Sequence, residues 1–246
     1  MAVAERPWTA REDRRGAIFW LTLLWIGLVA GFGVDLPRFL KERPAAPLII
    51  DIHAICMIAW LAVLTAQVAL VETRRIALHR KLGLWAGGLA ILVVVVSGPA
   101  AVSSIKVGLG QPGFVPQFLA LNLVDVVGFA AFIGAGFAYR HDPAAHRRLM
   151  ALAAVSVADP GFARLSGAFL PEGTTIWSWF VLTFWGNLLM LALLVGLDLT
   201  RRGRVHPALA IGATLTLAGE LGGAALFFNP TWGAWCATLV KVWPLT

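Results

Sequence analysis

The feature that most constrains this chain is a succession of long apolar runs, each closed by a polar, turn-forming break. A helix needs roughly 20 apolar residues to cross the hydrocarbon core of a bilayer. On that ruler the sequence predicts seven spans, at residues 16–34, 48–71, 82–105, 117–139, 148–170, 176–199 and 207–228. The breaks read "DLPRFLKERPAAP", "GLGQPGFVP", "RHDPAAH", "PEGTT" and "RRGRVHP", all rich in residues that stop helices or start turns. Charged residues make up only 13% of the 246, about half the usual share in a soluble protein. The expected fold class is therefore all-α: a polytopic membrane helix bundle of seven transmembrane helices, one integral domain over residues 1–246, with the lipid bilayer as its surroundings.

The net charge of +7 does not point to nucleic acid, because the basic residues lie in short segments between apolar runs, where they set topology. With the N-terminus in the cytoplasm, Arg6, Arg11, Arg14, Arg15, Arg74, Arg75, Arg80, Lys81, Arg140, Arg147, Arg148, Arg201, Arg202 and Arg204 fall inside. Arg38, Lys41, Arg43, Lys106 and Lys241 fall outside. The positive-inside rule thus predicts N-terminus in and C-terminus out, periplasmic if the chain lies in a bacterial inner membrane. An Arg-dominated, Ala- and Gly-rich composition fits a bacterium of high genomic GC content. The first apolar run follows basic residues but has no small-residue cleavage site, so it is expected to stay as a span. Cys56 and Cys236 make no Cys-x-x-Cys motif and imply neither a disulfide framework nor a cysteine metal site. The segment "NPTWGAWCATLVKVWPLT", with Trp232, Trp235 and Trp243, suits an aromatic belt at the outer interface.

Four charges fall where they are expensive: Asp125, Asp159, Arg164 and Glu220. Isolated at mid-bilayer, they would cost about 10 to 14 kcal/mol together on insertion scales, so they must be paired, protonated or facing a wet cavity. At 1.5 Å of rise per residue, His53, Asn122, Asp125 and Arg164 come to the outer half and Asp159 and Glu220 near the middle. One polar cluster is expected, with Arg164 serving at least one of Asp125, Asp159 and Glu220. On span 2, His53, Met57, Trp60, Leu64 and Gln67 share a face. Pro160 is expected to kink span 5.

The phrase "HRKL" at His79 returns as "HRRL" at His146, each at the cytoplasmic start of a span, and hints at a repeat. His79 and His146 stand at one depth, with Arg80, Arg147 and Arg148 beside them, as a bis-histidine haem with arginine-neutralised propionates requires. His53, at the other face, cannot join them. No His-x-x-x-His or His-x-x-Glu spacing supports zinc or copper, so no metal site is predicted. Span 7 has no lysine for a retinal Schiff base, and no nucleophile elbow or phosphate-binding loop supports hydrolysis.

The run "HAICMIAWLAVLTAQVALV" followed by "ALHRKLG", and later "AHRRLMALAAVSVADPGFARL", resembles an uncharacterised family of bacterial multi-pass membrane proteins of the domain-of-unknown-function type. Its pattern is a histidine early in helix 2, HR..G at the start of helix 3, HRR.M at the start of helix 5 and an arginine further along helix 5. Here these fall on His53, on His79, Arg80 and Gly83, on His146, Arg147, Arg148 and Met150, and on Arg164. The likeness covers residues 48–170 and implies a shared fold with no assigned activity. More distantly, the chain is similar to the four-helix cores of transmembrane cytochromes b. Span 4 has no internal histidine, which leaves at most one haem b, between His79 and His146. Three functions stay open: a small-ligand or proton-linked site in the outer half built from His53, Asn122, Asp125, Asp159, Arg164 and Glu220; a single-haem electron-transfer protein; and a non-catalytic subunit that has other membrane subunits as partners.

Overall fold

A computed structural model describes residues 10–42, 46–109, 115–169 and 176–245. Among them every regular element is helical: α1 (Ala10–Glu42), α2 (Leu48–Glu72), α3 (Ile76–Gly108), α4 (Leu119–Ala138), α5 (Pro143–Val155), α6 (Asp159–Phe169), α7 (Ile176–Arg202), α8 (Pro207–Phe227) and α9 (Pro230–Val242). Six of these helices are long and apolar enough to cross a membrane, and α5 with α6 passes the same test as a bent pair. The expected all-α polytopic bundle is what the chain forms.

Helix ends follow the local sequence. Asp142 caps α5, its Oδ1 accepting from the Ala144 N–H (2.9 Å) and the Ala145 N–H (3.1 Å), with Pro143 in the first turn. The Ala145 bond above all holds the Asp142 carboxyl below the usual carboxylate range. Asn229 caps α9 in the same way, accepting from Trp232 N–H at 3.1 Å. At the end of α2, Arg75 N–H reaches Leu70 O (2.8 Å) and Arg74 N–H reaches Val71 O (3.1 Å). This is a Schellman closure. It puts Arg74 in the left-handed region at φ 61°, where glycine is usual; the arginine keeps a cation at the negative end of the α2 dipole.

Three helices differ from the predicted spans. The third begins at Ile76 rather than residue 82 and the fifth at Pro143 rather than 148, because a helix runs on into polar flanks that hydropathy cannot mark. His79 and His146 consequently occupy the same position, the fourth residue of α3 and of α5. The first helix continues through Pro37 to Glu42, so Asp35 is helical instead of lying in a loop. The fifth span is two helices bent by 46° about residues 156–158. The break stands upstream of Pro160 because proline has no N–H for the Ser156 carbonyl and its ring crowds that carbonyl.

The chain divides into two compact units, residues 1–43 with 131–217, and residues 44–130 with 218–246. In the first, Arg148 of α5 pairs with Asp198 near the end of α7, and in the same last turn of α7 Arg201 packs on Gly16 of α1. Further along, Gly161 meets Gly31 and Arg164 meets Asp35. Gly16 and Asp35 are about 28 Å apart along α1 at the rise of an α-helix, close to the hydrocarbon thickness. The α5–α6 pair therefore advances from one end of α1 to the other. It advances rather than turning back, and counted as one interrupted span it joins the six long apolar helices to make seven.

The second unit is built on the antiparallel α2–α3 pair. Against the end of α3 lies α9, where Val102, Ile105, Leu119, Cys236 and Val240 form a buried cluster. Trp243 Nε1–H donates to Ser103 Oγ at 3.0 Å, and Lys106 Nζ donates to Lys241 O (3.0 Å) and Trp243 O. A lysine at the carbonyl end of α9 satisfies its orphan acceptors and complements its dipole.

Candidate functional site

In the second unit, α8 crosses α4 over two glycines. A Cβ on Gly219 would stand 3.2 Å from Val124 Cγ1, and one on Gly223 would stand 3.0 Å from Val124 Cγ2. Small residues at i and i+4 let helices approach closely in a membrane. Glu220 follows Gly219 and Asp125 follows Val124, so this crossing brings their carboxyl groups within electrostatic reach of each other. Glu220 is buried, at 1% exposure, and Asp125 is half-buried.

His53 of α2 stands opposite Ser97 of α3, with Nδ1 3.3 Å from Oγ. The Ser97 hydroxyl donates its one proton to Val93 O at 2.6 Å, so it can only accept from the imidazole. His53 thus carries its hydrogen on Nδ1 and presents Nε2 as an acceptor. The face expected on α2 holds: Trp60 and Leu64 are buried, Cys56 with them, and His53, Met57 and Gln67 are half-buried. Trp60 packs edge-on against Phe129, ring centroids 5.1 Å apart, and its fully buried N–H has no acceptor among the described residues. Phe129 is one turn along α4 from Asp125. Asn122, one turn the other way, donates to Phe118 O at 3.1 Å. Counted from the ends of α2, α4 and α8 on the same side, His53, Asp125 and Glu220 lie about 8 to 11 Å deep. These three titratable groups share one level of one unit.

Asp159 and Arg164 belong to the other unit. Asp159 is buried at the head of α6. Arg164 has a different partner from the three acids expected for it: Nε donates to Asp35 Oδ2 at 2.9 Å, Nη1 to Pro160 O, and the guanidinium lies 4.6 Å above the Phe32 ring. Asp35 escaped notice because Pro37, two residues on, reads as the end of a helix. Both side chains are 36% exposed, so the pair falls nearer the surface class, worth about 0 to 1 kcal/mol, than the buried class. In a double-mutant cycle by thermal unfolding, Arg164→Ala and Asp35→Asn should couple by about 1 kcal/mol or less, while Asp125→Asn should show no coupling to Arg164→Ala.

The histidines of the repeated phrase divide between the units, His79 in the second and His146 in the first. His146 Nδ1 is 2.8 Å from Gly136 O; since a carbonyl only accepts, the ring donates there and covers an orphan carbonyl in the last turn of α4. His146 therefore has a structural task, fastening the α4–α5 turn. Arg80 and His141 are exposed, and His79 and Arg147 are half-buried. Among the described residues no three His, Cys, Asp or Glu side chains gather into a metal-binding group.

These features define the class: an integral, all-α, multi-pass membrane protein. No protein-family model, curated protein or solved structure matches the chain.

Proposed function

We propose that the protein operates a proton-linked site for a small ligand in the outer half of the bilayer of a bacterial inner membrane, with Asp125 and Glu220 as its proton-bearing pair. The observation that carries this is the crossing of α8 on Val124, which sets two carboxyl groups on neighbouring membrane helices within electrostatic reach of each other. Ionised carboxylates in a low-dielectric interior are costly and repel one another, so at neutral pH the pair holds one proton. His53 Nε2 at the same depth offers an acceptor, and the Trp60 N–H a donor, for a ligand exchanged against that proton. Ionisable groups in this setting mark ion and substrate paths far more often than packing contacts.

Infrared difference spectra of the purified protein test the pair. At neutral pH the wild type should show the carbonyl stretch of a protonated carboxylic acid, and the double variant Asp125→Asn with Glu220→Gln should lose it. A wild type with no such band has both acids ionised, and the proposal fails.

A further inference from the structure

We propose that His206 is an acid-operated latch on the α7–α8 turn: neutral, it caps the first turn of α8, and on taking up a proton it lets that turn go. The chain leaves α7 through Gly203, in the left-handed region at φ 71° with its N–H on Leu199 O at 2.8 Å, and enters α8 at Pro207. The His206 carbonyl accepts the first helical bonds, from Leu209 and Ala210 at 2.9 Å each. Its ring Nδ1 accepts from the Ala208 N–H at 3.1 Å. This is the helix-capping role usually given to Ser, Asp or Asn. Unlike those caps it exists in one charge state only, because a protonated Nδ1 would face the Ala208 N–H donor to donor.

The latch is fixed to the buried ion pair of its unit. The backbone N–H of His206 donates to Asp198 Oδ2 at 3.0 Å, and the same oxygen accepts from Arg148 Nε at 2.9 Å. The charged groups facing the ring are Arg148 and Arg147 from α5, Asp198 from α7 and Asp142 from the α4–α5 turn. Burial first, and then Arg148, disfavour the imidazolium; Asp142 and Asp198 favour it and Arg147 opposes it, with the net effect that the ring titrates below its ordinary range. A group depressed in this way keeps its contribution above its ordinary range and loses it as pH falls through the depressed value. The latch is closed at neutrality and opens on acidification. Asp198 and Asp142 are then the acceptors at hand for the ring's new proton.

Hydrogen–deuterium exchange of the full-length protein in detergent, read on the peptide covering residues 203–212 and corrected for the intrinsic effect of pH, tests the latch. Alongside it, the nuclear magnetic resonance signals of the His206 ring and the Ala208 amide are followed through the same titration. In the wild type the Ala208 amide should shift with the midpoint of the His206 ring, and exchange there should speed up about fivefold as the ring charges, the factor corresponding to loss of one ordinary cap. His206→Asn, whose Oδ1 caps without titrating, should stay protected across the range. A ring that titrates while the Ala208 amide stays still would overturn the proposal. So would equal acid loosening in His206→Asn, which would assign the response to Asp142 or Asp198 instead.

Discussion

Arg148→Ala is expected to lower stability by about 3 to 5 kcal/mol, the range for stranding one member of a buried ion pair. The Arg148 and Asp198 side chains are 6% and 7% exposed. The guanidinium engages both carboxylate oxygens and sends Nη1 to Ala144 O at 2.8 Å. Asp198 also receives the His206 N–H, so the pair joins α5, the end of α7 and the entry to α8. Without the arginine, a buried carboxylate is left with the His206 N–H to satisfy it. Adding Asp198→Asn should return a large part of the loss, because an amide is far cheaper to bury than a lone charge. Arg148→Lys should recover little, since a point-charge ammonium cannot reproduce two parallel bonds. Thermal or denaturant unfolding in one detergent measures all three. An Arg148→Ala protein within about 1 kcal/mol of wild type would mean that water reaches the pair and that it belongs with exposed bridges.

That this arginine matters so much could not be read from its neighbourhood in the sequence. Arg148 stands in "AHRRL", a basic run at the mouth of a span, where arginines ordinarily set topology from water. Its burial depends on Asp198 arriving from 50 residues away, and hydropathy does not say which helices are neighbours. The same limit governs the acid pair. Asp125 and Glu220 each stood out by the cost of a charge in lipid, but their meeting follows from Gly219 and Gly223 seating α8 on Val124. The glycine spacing was visible; its target was not.

Local signals carried further. The apolar runs located the six long helices and the bent α5–α6 pair, since hydropathy depends on adjacent residues. Errors arose where a local signal was overruled by its surroundings. Pro37 suggested a stop, yet α1 continues past it and carries Asp35 to Arg164. The kink expected from Pro160, by contrast, is present: the fifth span bends by 46° one turn upstream, at the carbonyl the proline leaves without a donor. The repeated "HR[KR]L" phrase proves to mark equal positions in two helices, and in the second of them the histidine fastens the preceding turn.

Gly31→Ala should be about as damaging as a core insertion of far larger size, with a loss near the upper end of the roughly 1 to 3 kcal/mol usual for overpacking, or beyond it. A methyl group on Gly31 would fall inside the Gly161 carbonyl oxygen and 2.6 Å from its carbon. The obstacle is backbone, so no side-chain rotation relieves it. The crossing is close from both sides: a Cβ on Gly161 would stand 2.6 Å from Leu28 Cδ2 and 3.1 Å from its Cα, and Gly27, one turn before Gly31, receives the Phe162 ring. "GLVAG", Gly27 to Gly31, is thus a small-xxx-small contact between α1 and α6. Gly33→Ala is the control, because nothing lies within 4 Å of a Cβ there; it should be neutral or slightly stabilising through the lower backbone entropy of alanine. The two variants, unfolded in the same detergent, must therefore separate. A second consequence follows from the register: Asp35 is one turn beyond Gly31 and Arg164 one turn beyond Gly161, so parting the helices at the glycines parts the ion pair. The coupling between Arg164→Ala and Asp35→Asn should vanish in the Gly31→Ala background and persist in Gly33→Ala. Equal stability of the two glycine variants, with the coupling intact in both, would mean that α1 and α6 do not cross at these residues.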